Sequence, residues 1–303
     1  MIVLVLVVSL TTGVDGQESA GSRSTKPAAT KDADPFRWVN PLKFELDGVT
    51  HATFRSPGMN VDVGYCIYLP TEYGRTTKRF PVVYYLHGGR PGSETKSVRL
   101  ASRIHQQIEA GNVPPMIYVF VNGGPVSHYN MPNRTNAMGA DVFIRELIPH
   151  IDQTYRTVGD RSGRGIEGFS QGGRGTTRIM FRHPELFCSA APGGAGHGTE
   201  KRISEEHGRE SESLVFAEGD NTYDTARKYA AHPEPPLNIL IHVGTKDFNY
   251  ENNLEYMQFL DSLKITYRKL IVPDVPHSAM EIYQRHAKDL MQFHARNFGL
   301  IDQ

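Results

Sequence analysis

Residues 164–175 read RGIEGFSQGGRG, and the architecture of the chain follows from this segment. It contains the pattern G-x-S-x-G with Ser170 at its centre. Residues 164–169 predict a short strand, and residues 176–181 predict a helix that Pro184 would stop. A strand, a tight turn that carries a serine, and a helix are together the setting of a nucleophile elbow, which exposes the serine hydroxyl at the end of a sheet.

Two glycines flank the serine for a physical reason. The serine turn is strained and brings the strand close to the helix, so side chains at Gly168 and Gly172 would clash. The N-terminus of the following helix also favours the negative charge that develops when a serine attacks a carbonyl group. The alternative interpretation is an ordinary Gly-Ser turn, and the rest of the chain decides between the two.

Predicted strands and helices alternate on either side of this segment. Continuous apolar runs predict strands buried on both faces of a parallel sheet, at 82–86, 116–121, 237–243 and 267–272. Apolar residues at helical spacing occur at 100–108, 144–155, 256–263 and 283–294, with a kink or restart expected at Pro149. This order predicts an α/β sheet with helices on both faces. Residues 48–55 and 61–68 have no helix between them and predict an antiparallel N-terminal edge.

Length and composition limit the remaining interpretations. The chain has 303 residues, and its 33 Lys+Arg balance its 33 Asp+Glu, so its formal charge is zero. A zero charge gives no reason to propose a nucleic acid partner, because phosphate binding needs clustered cations. The apolar content is near that of globular proteins, which excludes the collagen-like, disordered and disulfide-scaffold classes. The sequence carries no signal for oligomeric state.

The N-terminal segment is predicted to lie outside the folded domain. Residues 2–10, IVLVLVVSL, are too few to span a bilayer but suit the apolar region of a secretory signal. We predict a signal peptide over 1–20, a disordered linker over 21–34, and a secreted or periplasmic protein without a stable membrane span. The catalytic domain is predicted over 35–303, with an insertion at about 193–236 above the carboxyl ends of the strands.

Cys66 and Cys188 both lie in apolar runs that predict strands. Two free thiols in the core are the simpler interpretation, although an exported protein could pair them in a disulfide. Two cysteines this far apart in the chain do not have the spacing of a zinc site.

The general base and its orienting acid are predicted after the last two strands. In the nucleophile-elbow architecture the chain order is serine, acid, histidine. Asp247 follows the strand predicted at 237–243, and His277 follows the strand predicted at 267–272. Both residues therefore reach the edge of the sheet that carries Ser170, which predicts a catalytic set of these three residues.

Other acids and histidines compete for these roles. Asp220 lies in the insertion rather than after a clear strand, and Asp274 is too close to His277 in the chain to reach it easily as an orienting carboxylate. Surface or packing roles are predicted for the histidines in helical patterns, His183 and His294. The histidines of the insertion could touch substrate; they are His197, His207 and His232.

An oxyanion hole needs two preorganised backbone N–H groups. Gln171, the residue after the serine, is expected to supply one, and the loop after an early strand is expected to supply the other. The strand at 82–86 runs into His87-Gly88-Gly89, which has the H-G-G form of that loop. We therefore predict Gly89 as the second donor and a structural role for His87.

Substrate contacts are predicted in the loops above this edge of the sheet. Residues 122–141 include His128 and Tyr129, which could form a pocket wall; the alternative is a solvated loop. Arg90 could meet a substrate carboxylate or face water, and His197 could reach substrate from the insertion. The candidate substrate contacts are Arg90, His128, Tyr129 and His197.

Five motifs together resemble the α/β-hydrolase esterases of the esterase D type. They are YYLHGGRPG at 84–92, ELIPHIDQTY at 146–155, RGIEGFSQGGRG with HPELF at 164–187, GTKDFNYENN at 244–253 and VPHSAMEIYQ at 275–284. This group includes feruloyl and acetyl xylan esterases, S-formylglutathione hydrolase, enterochelin esterases and the mycolyltransferases. The similarity runs from about residue 54 to residue 298 and is specific for the superfamily rather than for a substrate.

The resemblance implies the α/β-hydrolase fold, with Ser170 as nucleophile, Asp247 as acid, His277 as base, Gly89 and Gln171 as oxyanion donors, and no metal or organic cofactor. The implied activity is hydrolysis of a carboxylic ester, with acylated carbohydrate of the feruloyl or acetyl type as substrate. A siderophore-type or other small-ester hydrolase is the alternative. From another class, the alternative is a non-catalytic binding module with a hydrolase-like fold.

Two features depart from the family pattern. Many of these enzymes have Gly-Gly-His before the final loop, whereas this chain has Val275-Pro276-His277 after Asp274. Glu167 places a charge beside the serine turn, and nothing in the sequence explains it. Neither feature removes a predicted catalytic group.

Overall fold

A sheet of eight strands lies at the centre of the structure, a computed structural model that describes residues 36–126, 128–199, 205–206, 209–210 and 216–302. The predicted signal peptide at 1–20 and linker at 21–34 lie outside these residues. The strands of the described part are β1 (Val49–Ser56), β2 (Val61–Tyr68), β3 (Val82–Leu86), β4 (Ile117–Val121), β5 (Arg164–Phe169), β6 (Ser189–Gly193), β7 (Glu205–Glu206), β8 (Arg209–Glu210), β9 (Asn238–Lys246) and β10 (Arg268–Pro276). The order across the sheet is β1-β2-β4-β3-β5-β6-β9-β10, and β7 pairs only with β8.

Strand direction divides the sheet into two parts. β2 is antiparallel to both of its neighbours, β1 and β4, whereas the pairs from β4 to β10 are all parallel. In the register of the central pairs, Leu86 lies opposite Val121 on one side and Gly168 on the other. The predicted fold, a mostly parallel sheet with an antiparallel N-terminal edge, is confirmed. The parallel part brings the carboxyl ends of β3, β5, β6, β9 and β10 to one edge.

Helices cover both faces of the sheet, as the sequence predicts. They are α1 (Ala101–Glu109), α2 (Gly139–Asp141), α3 (Ile148–Thr154), α4 (Gln171–Arg182), α5 (Thr222–Ala231), α6 (Tyr250–Ser262) and α7 (Ala279–Asn297), with short 3-10 helices at Thr71–Gly74, Val98–Leu100 and Arg161–Gly163. Within the described ranges, no helix is both long and apolar enough to cross a bilayer.

The two faces of the sheet bury separate apolar clusters. Val82, Tyr84 and Leu86 of β3 pack in the cluster that also contains residues of α3, α4 and α6. Val83 and Tyr85 of the same strand pack in the cluster that contains residues of α1 and α7. Burial of both faces explains why this strand is a continuous apolar run instead of an alternating one.

The helical segment that follows β4 changes type where the sequence predicts an interruption. A π-helical turn, Val142–Leu147, joins α2 to α3. Pro149 then lies in the first turn of α3. The chain stays helical through this junction, because Leu147 and Ile148 both have right-handed helical backbone angles. The interruption predicted at Pro149 therefore takes the form of a change from π-helix to α-helix and not of a break.

The predicted insertion at 193–236 begins where β6 ends, at Gly193. Its described part includes α5, Thr222–Ala231, a helix that the Gly-, Glu- and His-rich composition did not predict. Asn221 caps this helix, because its side chain accepts hydrogen bonds from the backbone N–H groups of Tyr223 and Asp224. The predicted candidate His207 lies outside the described residues.

Both cysteine thiols are free and buried, and no disulfide links Cys66 to Cys188. Burial raises the pKa of Cys66 to about 12 and that of Cys188 to about 11. Cys66 lies on β2 and Cys188 immediately precedes β6. The prediction of two free core thiols is confirmed.

Candidate active site

Ser170 occupies a sharp turn between β5 and α4. Its backbone has φ 62° and ψ −120°, a strained conformation for a residue with a side chain. The start of α4 passes so close to β3 that a Cβ atom on Gly172 would lie 1.9 Å from the carbonyl oxygen of Leu86. A Cβ atom on Gly168 would lie 2.6 Å from the carbonyl oxygen of Gly172. Steric contact at these two positions explains the glycines of the motif.

Ser170, His277 and Asp247 are joined in one line of hydrogen bonds. The Oγ atom of Ser170 lies 2.8 Å from Nε2 of His277. Nδ1 of the same ring lies 2.8 Å from both carboxylate oxygens of Asp247. An ionised carboxylate only accepts hydrogen bonds, so Nδ1 carries the proton and Nε2 is left to accept one from the serine. This arrangement can deprotonate a serine hydroxyl during an attack.

The Asp247 carboxylate is shielded from solvent. Its side chain has no exposed surface, whereas that of His277 is 19% exposed. The backbone N–H of Asn249 donates to Oδ1 of Asp247 at 2.7 Å. Burial strengthens the attraction between the carboxylate and the protonated imidazole, because little water screens it.

The two rival acids are engaged elsewhere. Asp220 accepts two hydrogen bonds from Arg178, at 2.7 and 2.6 Å, and one from Arg182 at 3.0 Å. Burial alone would raise the pKa of the Asp220 carboxyl, but its attraction to these two arginines lowers it. Asp274 forms an ion pair with Lys246 at 2.8 Å, and its side chain is 72% exposed. Neither carboxylate contacts His277.

The predicted oxyanion donors lie on the two segments that border the serine. Gln171 is the first residue of α4, so its N–H has no partner within the helix. The loop after β3 packs directly on the elbow, since a Cβ atom on Gly88 would lie 3.0 Å from both the Cβ of Ser170 and the carbonyl oxygen of Phe169. Gly89 follows in this loop with φ 67°.

His87 ties the loop after β3 to the loop after β4. Its Nε2 accepts hydrogen bonds from the backbone N–H groups of Gly123 at 3.1 Å and Ser93 at 3.3 Å. Its Nδ1 donates to the carbonyl oxygen of Gly88 at 3.1 Å. Burial lowers the pKa of His87 to about 4, which keeps the ring neutral and able to accept. These contacts fit the structural role predicted for His87.

Two predicted substrate contacts, His128 and Tyr129, have no exposed surface. Nε2 of His128 donates to the carbonyl oxygen of His87 at 3.1 Å. The guanidinium group of Arg178 lies over the Tyr129 ring, 3.9 Å from its centroid. In this structure the two side chains pack inside the protein, against the loop after β3 and against α4, instead of facing solvent.

The other two predicted contacts differ in exposure. His197 is buried, and its ring stacks on Tyr256 with centroids 3.5 Å apart. Burial lowers the pKa of His197 well below its ordinary value, with a further contribution from the charge of Arg174. Arg90, beside Gly89, is partly exposed. Of the four candidate contacts, Arg90 is therefore the one that keeps exposed surface.

Glu167 has a structural explanation that the sequence did not supply. Its side chain is completely buried beneath the elbow. The hydroxyl of Tyr283 in α7 donates to its Oε1 at 2.8 Å, and Nε2 of His294 in the same helix lies 3.5 Å from its Oε2. Glu167 thus connects β5 to the helix that follows His277. His294, for which a surface or packing role is predicted, is buried in this contact.

Phe248 is a residue of the site that the sequence analysis missed. It directly follows Asp247, and its side chain is 77% exposed. Its ring centroid lies 4.0 Å from that of the His277 imidazole. The motif GTKDFNYENN contains this position, but local sequence cannot tell that the ring stays uncovered.

Comparison with known proteins identifies relatives along most of the chain. The family model described as "Putative esterase" matches residues 56–270. An esterase of Mycobacterium tuberculosis is 25% identical over an alignment 275 residues long, which covers 84% of this chain but only 56% of that protein. The chain thus spans little more than half the length of that relative. An endo-1,4-beta-xylanase/feruloyl esterase of Xylanibacter ruminicola is 33% identical over an alignment 129 residues long, which covers 40% of this chain and 18% of that protein.

Solved structures share the fold at low sequence identity. A ferulic acid esterase has a TM-score of 0.69 at 22% identity, with 82% of this chain and 97% of that chain covered. An S-formylglutathione hydrolase of Staphylococcus aureus has a TM-score of 0.67 at 20% identity, with 81% of this chain and 98% of that chain covered. The predicted resemblance to α/β-hydrolase esterases of this type is confirmed.

Proposed function

The chain belongs to the Esterase family, and from that premise we propose that it is a serine carboxylic ester hydrolase that works through an acyl-enzyme. The observation that carries this proposal is the line of contacts from Ser170 Oγ through the His277 imidazole to the buried Asp247 carboxylate. A serine hydroxyl is a weak nucleophile unless a base accepts its proton, and this arrangement supplies both the base and its orienting acid.

The proposed cycle has two halves that use the same base. His277 takes the proton of Ser170 as the hydroxyl oxygen attacks the ester carbonyl carbon. The backbone N–H groups of Gly89 and Gln171 stabilise the oxyanion, and His277 then gives its proton to the departing alcohol. Water, deprotonated by His277, next attacks the carbonyl carbon of the acyl-enzyme, and His277 returns this proton to Ser170 Oγ as the acid departs. Asp247 fixes the imidazole tautomer and stabilises its cation in both halves.

We propose acylated carbohydrate, with a feruloyl or acetyl group, as the substrate class. The feruloyl esterase names among the relatives and the structures with this fold support this proposal. An S-formylglutathione hydrolase has nearly the same TM-score, which supports a small-ester hydrolase as the second candidate. The siderophore type within this candidate rests on the sequence resemblance. A non-catalytic binding module is disfavoured, because such a module has no need for a serine, a histidine and an acid in mutual contact. Export through residues 1–20 stays a prediction of the sequence.

Ser170→Ala tests the reaction itself. We expect kcat on p-nitrophenyl acetate to fall on the order of 10⁶-fold, because the three residues act as a unit. Ser262→Ala is the matched control: the Ser262 hydroxyl donates to the carbonyl oxygen of Phe259 at the exposed end of α6, and its loss should leave kcat within about twofold. Retention of turnover by Ser170→Ala, with the fold intact by circular dichroism, would contradict the proposed nucleophile.

A substrate panel separates the candidate classes. The wild-type enzyme would be compared on methyl ferulate, acetylated xylan, p-nitrophenyl esters of increasing chain length and a catecholate triester. Preference in kcat/KM for methyl ferulate or acetylated xylan supports the carbohydrate ester proposal. Preference for the catecholate triester or for unsubstituted short-chain esters supports the second candidate. Ligand binding without turnover by both wild type and Ser170→Ala supports the binding module.

A further inference from the structure

Phe248 stands out among the apolar side chains of the described residues by its exposure. It is 77% exposed, whereas the other large exposed apolar side chains, Met280 and Leu300, are 37% and 38% exposed. A phenyl ring in water forgoes the free energy that burial would give it, so an exposed ring at a site edge suggests a surface that is covered when ligand is present.

The exposed ring lies against the proposed catalytic base. The His277 imidazole contacts two phenyl rings, with centroid distances of 4.0 Å to Phe248 and 4.8 Å to Phe169. Phe169 is buried at the end of β5 and cannot reach a ligand. Of these two rings, Phe248 is therefore the one that contacts the imidazole on one side and solvent on the other.

The order of the strands tells which part of an ester would lie beside Phe248. The Gly89 loop follows β3, on one side of β5 and Ser170, whereas Asp247 and His277 follow β9 and β10, on the other side. The ester carbonyl oxygen points toward the Gly89 loop in the proposed reaction. The alcohol oxygen must lie within hydrogen-bond reach of His277 Nε2 to receive its proton. The alcohol therefore leaves on the side of the elbow that carries Phe248.

We propose that Phe248 is a binding platform for the alcohol part of the ester, which the phenyl ring recognises by stacking against a ring-shaped alcohol such as a sugar or a benzyl group. This inference rests on the proposed ester hydrolysis and adds to it the residue that selects the leaving group. A sugar ring offers an apolar C–H face, and a benzyl group offers an aromatic face, either of which can cover the exposed ring.

Such a platform affects only one half of the cycle. In acylation the bond between the carbonyl carbon and the alcohol oxygen breaks, and the alcohol departs with the proton from His277. The acyl-enzyme that remains has no alcohol for Phe248 to contact. Deacylation by water should therefore be independent of residue 248.

The test compares two acetate esters that form the same acyl-enzyme. For Phe248→Ala we expect kcat/KM on benzyl acetate to fall about tenfold, the size of one aromatic contact, and kcat/KM on ethyl acetate to stay within about twofold. The deacylation rate, measured as the steady-state rate after a p-nitrophenol burst, should be unchanged. Phe248→Trp should retain the preference for benzyl acetate over ethyl acetate. Leu300→Ala is the control, because it removes an exposed apolar side chain outside the candidate site and should leave this preference unchanged.

Three outcomes overturn the inference. An equal loss on both esters, together with a shifted pH profile of kcat/KM, would mean that Phe248 shields the His277 and Asp247 pair from water. No loss on either ester would mean that the ring has no part in the reaction. If the wild-type enzyme hydrolysed no ester at all, the proposed function itself would fail, and the inference with it; the first two outcomes leave that function standing.

Discussion

Replacement of Asp247 by asparagine removes one charge from the centre of the proposed site and changes its shape little. Both carboxylate oxygens lie 2.8 Å from Nδ1 of His277, and the side chain has no exposed surface. The centres of the two charges are then about 4 Å apart, and an effective dielectric constant of about 20 gives about 4 kcal/mol of attraction for the imidazolium. At about 1.4 kcal/mol per tenfold, kcat/KM should fall about 10³-fold.

The size of the expected loss in kcat/KM depends on the burial of Asp247. If the carboxylate were screened as in bulk water, the same separation would give about 1 kcal/mol and a loss of less than tenfold. Asparagine could also present its NH₂ group to Nδ1 and so favour the wrong tautomer of His277, which would add to the loss. The assay is hydrolysis of p-nitrophenyl acetate under pseudo-first-order conditions, with Ser170→Ala as the baseline for background turnover.

Asp274→Asn is the matched control for this prediction. Asp274 lies close to His277 in the chain, but it is exposed and pairs with Lys246 in solvent. Exposed ion pairs contribute little, so kcat/KM should stay within about twofold of wild type. A loss below tenfold for Asp247→Asn, or a larger loss for Asp274→Asn, would refute the assignment of the orienting acid.

Three further predictions concern stability and reactivity. Gly172→Ala would place a methyl group 1.9 Å from a backbone oxygen of β3 and should lower the free energy of unfolding, measured in urea, by about 3 kcal/mol or more. The control Gly74→Ala has no atom within 4 Å of the added methyl group and should change this free energy by about 0.5 kcal/mol or less. Equal effects of the two substitutions would contradict the steric argument. Cys66 and Cys188, with pKa values of about 12 and about 11, should not react with a thiol reagent at pH 8 until the protein unfolds; rapid labelling of the native protein would refute their burial. Burial lowers the pKa of His87 to about 4 from its ordinary value near 6.5, so between these two pH values the unfolded chain binds a proton that the folded chain does not. The free energy of unfolding should therefore fall as pH is lowered from 6.5 to 4, and a constant or rising free energy of unfolding from pH 7 to pH 4.5 would contradict this.

The parts of the fold that the sequence predicts well are those with a repeated local pattern. The run at 82–86 becomes β3 with the predicted bounds, because a strand buried on both faces needs an apolar side chain at every position. The helix α5, Thr222–Ala231, was not predicted, since it lies in a segment of mixed composition without a clear apolar stripe. Its position depends on packing against α4, which no local pattern encodes.

Some residues of the candidate site could likewise be predicted from local sequence, and others could not. Ser170, Asp247 and His277 could be predicted as neighbours because each follows a strand of a parallel sheet, and the carboxyl ends of such strands meet at one edge. The burial of His128 and the exposure of Phe248 could not, because both depend on which loops cover which surfaces. Local sequence therefore identifies the reacting groups better than the groups that contact a substrate.

His277 lies between β10, a strand at one edge of the sheet, and α7, and this position has a consequence for how the enzyme is made. The ribosome incorporates His277 107 residues after Ser170, so a nascent chain carries the serine turn before it carries the proposed base. At about 5–20 residues per second, this interval lasts about 5–20 s. In the proposed mechanism the site becomes competent only when β10 adds to β9 at the edge of the sheet. The order of synthesis thus delays activation of the Ser170 hydroxyl until most of the central sheet has been made.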